Sequence, residues 1–117
     1  MSRKPDQPIN PPSIQDQLRP GLRLLPWNSP EGKPCYVAPA PDGADGFVSD
    51  MADTVEEIQL RIGEELLLHT RKMLDDPCIP HREFRYVSVR LSEALRDAVR
   101  IAHSRGARLE TRLLDSR

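Results

Sequence analysis

Ten of the twelve prolines fall within the first 41 residues of this 117-residue chain, and the other two, Pro77 and Pro80, sit almost side by side. Proline fixes its own backbone angle, has no N–H to donate, and breaks a helix that it enters. The chain therefore divides into a proline-rich first third and a helix-permissive remainder, which the Pro77–Pro80 break cuts in two. A length of 117 residues fits one small domain.

The first 13 residues, MSRKPDQPINPPS, are polar and proline-rich and offer nothing to bury, so they read as a disordered tail. A single domain is expected over 14–106. Within it, residues 21–49 read as a small antiparallel meander. Leu22 to Trp27 is an apolar run that stops at the turn signal Asn28-Ser-Pro-Glu-Gly32. A second short strand follows at Pro34 to Ala38. Then come the Pro39–Gly46 turn region and a third strand beginning at Phe47-Val48. Proline suits only the edges of such a sheet, and so small a sheet needs a helix to cover one face.

The rest reads as a long antiparallel two-helix hairpin. The first helix is expected over about 50–76, with Thr54-Val-Glu-Glu57 or Asp53-Thr-Val-Glu56 as its capping pattern. One apolar seam follows Met51, Val55, Ile58, Ile62, Leu66 and Met73. The second helix is expected over 80–106, opened by Pro80 and closed by Gly106. Its seam runs Phe84, Val87, Leu91, Leu95, Ala98 and Ala102. A connection this short makes the helices antiparallel neighbours. Residues 107–117 read as a flexible C-terminal tail. The fold class is α+β, mostly α, with the meander packed on the hairpin.

A second apolar line marks the first helix. Leu60, Leu67 and Leu74 recur every seven residues, well around from the first seam. A helix buried on one side needs one stripe, and this one has two. Two coverings fit the extra stripe: the sheet, through Trp27, Tyr36 or Phe47, or a second copy of the protein docking to complete a four-helix bundle as a dimer. Leu67→Asp is then expected either to unfold the monomer or to dissociate an oligomer.

Charge is segregated although the net charge is −1, which gives no global pull toward nucleic acid or membranes. Residues 50–76 carry eight acidic and three basic side chains, whereas 77–109 carry seven arginines and three acids. The ordinary reading is attraction between the helix flanks, each exposed pair contributing about 0–1 kcal/mol. A sharper one places Arg85, Arg96, Arg100 and His103 on one flank of the second helix, facing phosphates or an acidic partner.

Chemistry is hard to find. Cys78-x-x-His81, with Cys35 and His69 as further candidates, is a single close ligand pair where structural zinc sites show two. The acidic pairs Glu56-Glu57, Glu64-Glu65 and Asp75-Asp76 are adjacent, so on a helix they diverge by about 100° and do not converge on a substrate. Asp42-Gly-Ala-Asp-Gly46 continues into neither a phosphate loop nor a calcium loop. No cofactor, metal or small-molecule substrate is inferred, and the chain is not read as an enzyme. Two cysteines are too few for a disulfide scaffold, no apolar stretch reaches membrane length, and the N-terminus has no apolar signal core. A cytoplasmic protein is expected, and fourteen arginines against three lysines point to a GC-rich bacterial genome. The expected function is that of a bacterial accessory or regulatory protein: a protein–protein interaction module acting through its helical hairpin, as a homodimer or on another protein. The alternative is a nucleic-acid-binding transcriptional regulator that uses the arginines of the second helix.

Overall fold

The computed structural model describes residues 12–38 and 46–115. Most of the proline-rich tail and of the Pro39–Gly46 turn region lies outside them. The elements follow in the order β1 (Arg23–Asn28), β2 (Pro34–Val37), α1 (Gly46–Leu74) and α2 (His81–Asp115), with a 3-10 turn at Gln15–Gln17 before β1. The protein is mostly helical with a small antiparallel β-element packed against the helices, as the sequence pattern requires.

The strands pair through a short loop whose chemistry is local. Gly32 donates its N–H to the carbonyl of Ser29, and Ser29 donates to the carbonyl of Lys33. Pro30 supplies the fixed φ of the turn, and Gly32 takes the left-handed conformation (φ 80°) that closes it. Register runs Arg23↔Val37 and Leu24↔Tyr36 but shifts before Asn28↔Pro34. The irregularity spans Pro26, which cannot donate to the ladder. Its free carbonyl instead accepts from Gln59 Nε2 at 2.9 Å, tying the strand to α1.

The sequence predicts a third strand at Phe47-Val48, and the structure corrects it: both residues lie in the first turn of α1. Helix α1 accordingly starts four residues before Asp50, ahead of both predicted capping patterns. It stops at Leu74, where Asp76 turns the chain by accepting the Cys78 N–H at 2.9 Å just before Pro77 and Pro80 restart it. The carbonyl of Pro80 accepts from the N–H groups of Glu83 and Phe84, so α2 begins at the predicted break.

At the other end of α2 the prediction fails. Gly106 is not a C-terminal cap, because the helix passes through it to Asp115. The residues after it, Ala107-Arg-Leu-Glu-Thr-Arg-Leu-Leu114, are mostly strong helix formers, and one interior glycine costs a helix only about 1 kcal/mol. The expected C-terminal tail is thus helix as far as Asp115.

Helix α1 does not turn its richest apolar line toward α2. Its inward line is Ala52, Glu56, Gln59, Gly63, Leu66, Thr70 and Met73, spaced alternately three and four residues apart. Apart from Leu66 and Met73 these side chains are small or polar, so the hairpin interior is thin. The buried hydrophobic residues among those described are only Ile14, Leu24, Leu25, Ala52, Met73, Val87 and Ile101.

Candidate functional site

The first strand packs against both helices, and its attachments mark where. Arg23 of β1 reaches α1, donating from Nη1 to the Ser49 carbonyl (3.1 Å) and to Ser49 Oγ (2.8 Å), and from Nη2 to Asp53 Oδ1 (2.6 Å). On α2, Ser104 Oγ donates to the Leu24 carbonyl at 3.0 Å. Beneath this seat lies Glu56, only 1 % exposed. Its Oε1 lies 3.4 Å from Arg105 and 3.6 Å from both Arg23 and Arg108. Three guanidiniums around one buried carboxylate join β1, α1 and α2 at the end of the hairpin far from Pro77–Pro80. Burial, reinforced by the neighbouring Arg23, lowers the pKa of Arg108 below the usual arginine range. The cluster is a structural clasp, since each arginine named here has a carboxylate within 4 Å.

Helical geometry then sorts the remaining apolar residues by face, since successive residues turn by about 100°. In α1, Ser49, Asp53 and Leu60 fall on the sheet side of the inward line. Met51, Val55, Ile58 and Ile62 fall on the other side, about a quarter to a third of a turn away. In α2, Arg100 and Ser104 face the sheet, while Leu95, Val99, Ala102, Gly106, Leu109 and Leu113 face away. Met51, Ile58, Ile62, Val99, Leu95, Leu109 and Leu113 are all exposed, Leu95 to 65 %. The α1 line lies one residue before the inward positions and the α2 line one residue after them, so in an antiparallel pair they flank the hairpin on opposite sides. The molecule therefore exposes two separate apolar lines, one on each helix.

The first predicted seam of α1 is thus corrected: Met51, Ile58 and Ile62 do not pack on α2, and only Leu66 and Met73 of that line turn inward. Ala52, Glu56 and Gly63 hold the inward positions because Arg23, from a distant strand, gives the Glu56 carboxylate a buried counter-ion.

The second predicted stripe lies on the sheet side. Leu60 is half-buried there. Leu67 and Leu74 are 56 % and 66 % exposed, past Gln59, the last α1 residue that the described hydrogen bonds tie to β1. Phe47, one of their expected covers, is exposed on α1.

The predicted arginine flank is not one surface. Arg85 and Arg96 are exposed, but Arg100 is 5 % exposed, against the sheet. Burial depresses its pKa, with Asp97 beside it acting in the opposite sense. His103 is half-buried and, with Arg96, Leu95 and Val99, lines a groove of about 390 Å³ beside Pro12–Gln15. Ile14 is buried in this region, so residues 12–15 run along α2 beside Leu95 and Val99.

Of the zinc candidates, Cys35 and Cys78 are both free thiols, and no group of three or more His, Cys, Asp or Glu side chains converges among the described residues. No described helix is long and apolar enough to cross a membrane. Compared with protein families, with curated proteins and with solved structures, the chain matches none of them.

Proposed function

We propose that this is a small cytoplasmic bacterial protein with an accessory or regulatory role, a non-catalytic interaction module acting through the exposed apolar residues of its helical hairpin. One observation carries the reading. Met51, Ile58 and Ile62 on α1 and Leu95, Val99, Leu109 and Leu113 on α2 are exposed, as two apolar lines that flank the hairpin. Exposed apolar patches of this kind mark interaction sites in soluble proteins. The free Cys35 and Cys78 agree with a reducing compartment.

A photo-crosslinking residue placed at Ile58 tests the proposal against one placed at Glu57, which lies on the sheet side. In cells, Ile58 is expected to give a discrete adduct that Glu57 does not. Equal yields at the two positions, or none at either, overturn it.

A second reading, nucleic-acid contact through α2, draws on the exposed Arg85 and Arg96. It predicts a gel shift at low salt that Arg85→Gln with Arg96→Gln abolishes.

A further inference from the structure

We propose that the cavity of about 230 Å³ at the end of the hairpin far from Pro77–Pro80 binds the phosphate group of a small molecule, held by Arg105, Arg108 and Arg112. The clasp forms one wall of this cavity, and the site goes beyond the interaction reading without resting on it.

The three arginines fall on one face of α2. Steps of three and four residues keep them within about 60° of one another around the helix. All three line the cavity, together with Asp53 and Leu109.

Their donors are in surplus. Arg23 makes three hydrogen bonds of 2.6–3.1 Å and is fully engaged in the clasp. Arg105 and Arg108 make one each among the described residues, both 3.4 Å long, to Glu56 and to the Ser104 carbonyl. The remaining contacts of Arg108, with Glu56 at 3.6 Å and Asp53 at 3.9 Å, are longer than hydrogen bonds. A guanidinium carries five N–H donors. Most donors of these two side chains therefore lack an acceptor among the described residues, and Arg105 is half exposed at the cavity.

Charge points to the ligand. The guanidiniums of Arg23, Arg105, Arg108 and Arg112 meet the carboxylates of Asp53 and Glu56, which leaves two positive charges. A phosphate monoester carries about two negative ones near neutral pH. Asp53 lines the cavity as well, and its Oδ1 already accepts from Arg23 at 2.6 Å. Burial and then Arg23 push the pKa of Arg108 down, so an anion placed here relieves a crowded cation.

Shape narrows the class. A carboxylate offers two acceptor oxygens, whereas a phosphate group offers three, one for each arginine fork. The cavity is smaller than the roughly 300–1,000 Å³ of a site for a drug-sized ligand. It takes a phosphate group on a short stem, with Leu109 as an apolar wall.

Titration calorimetry of the full chain in a phosphate-free buffer at low salt tests this, with inorganic phosphate and glycerol 3-phosphate as probes and glycerol as control. Saturable binding with a Kd below about 1 mM is expected for a phosphate probe and none for glycerol. Tighter binding of glycerol 3-phosphate assigns the site to phosphomonoesters, and tighter or equal binding of inorganic phosphate assigns it to the free ion; both keep the proposal. Arg112→Gln and Leu109→Glu, which leave the ion pairs of Glu56 in place, are each expected to weaken binding by about tenfold or more. Arg85→Gln, at the other end of α2, is expected to leave it unchanged. No binding of either probe, binding that Arg112→Gln and Leu109→Glu leave intact, or binding that Arg85→Gln weakens equally overturns the proposal.

Discussion

The guanidinium of Arg23 lies 3.6 Å from the carboxylate of Glu56, and the two side chains are 9 % and 1 % exposed. The pair joins the first strand to the first helix across more than thirty positions, and Arg105 and Arg108 complete the same cluster from α2. Desolvating these charges yields little net stability while all are present, but without the Glu56 carboxylate the buried Arg23 is left with Asp53 alone.

Glu56→Gln is therefore expected to destabilise the protein by about 1–3 kcal/mol. Chemical denaturation measures it. A loss below about 1 kcal/mol, the level of an exposed pair, shows that the cluster is not what holds the sheet down.

Ser104→Ala removes the hydroxyl that donates to the Leu24 carbonyl and leaves that carbonyl buried without its side-chain donor. The expected cost is about 1–3 kcal/mol. Hydrogen exchange should locate it, with protection falling in β1 and β2 before it falls in α1. Uniform loss across both helices would contradict that order.

Gly63 sits on the inward line of α1, yet a Cβ built there meets nothing within 4 Å. Gly63→Ala should raise stability by about 0.5–1 kcal/mol through helix propensity alone. A lower melting temperature in the variant would mean that the helices approach each other more closely at this point.

Asp97 has its pKa raised, chiefly by burial and also by Glu93, against the opposing pull of Arg100 and Arg96. The folded state therefore holds this proton more tightly than the unfolded state, and the group adds stability as pH falls through its raised pKa and loses it as pH rises. Relative to Asp97→Asn, the wild type should gain stability on acidification. A gap that moves the other way between neutral and mildly acidic pH refutes this.

Leu67→Asp, which the sequence pattern alone marks as disruptive, falls on an exposed sheet-side position. It should change stability by less than about 0.5 kcal/mol, which chemical denaturation measures.

Leu67 and Ile58 are both exposed, which shows how far the sequence could be read. Both helices were visible in three- and four-residue spacing, and Pro77 and Pro80 placed the break between them. The two strands were visible because Ser29-Pro-Glu-Gly32 carries its own turn chemistry. Which stripe faces inward was not visible, because periodicity gives the spacing of a line and not its neighbour. Glu56 looks like one more surface acid until Arg23 is folded over it, and Arg100 like one more exposed base until the strands cover it. Gly106 misled for a local reason, since the strong helix formers after it carry the helix on.

The bond from Ser104 to the carbonyl of Leu24 spans eighty positions, and that span sets an order of events during synthesis. The strands leave the ribosome first, and their seat on α2 follows some eighty residues later. At about 5–20 residues per second, the β-hairpin waits several seconds for its anchor and stays unseated until Ser104 has been made.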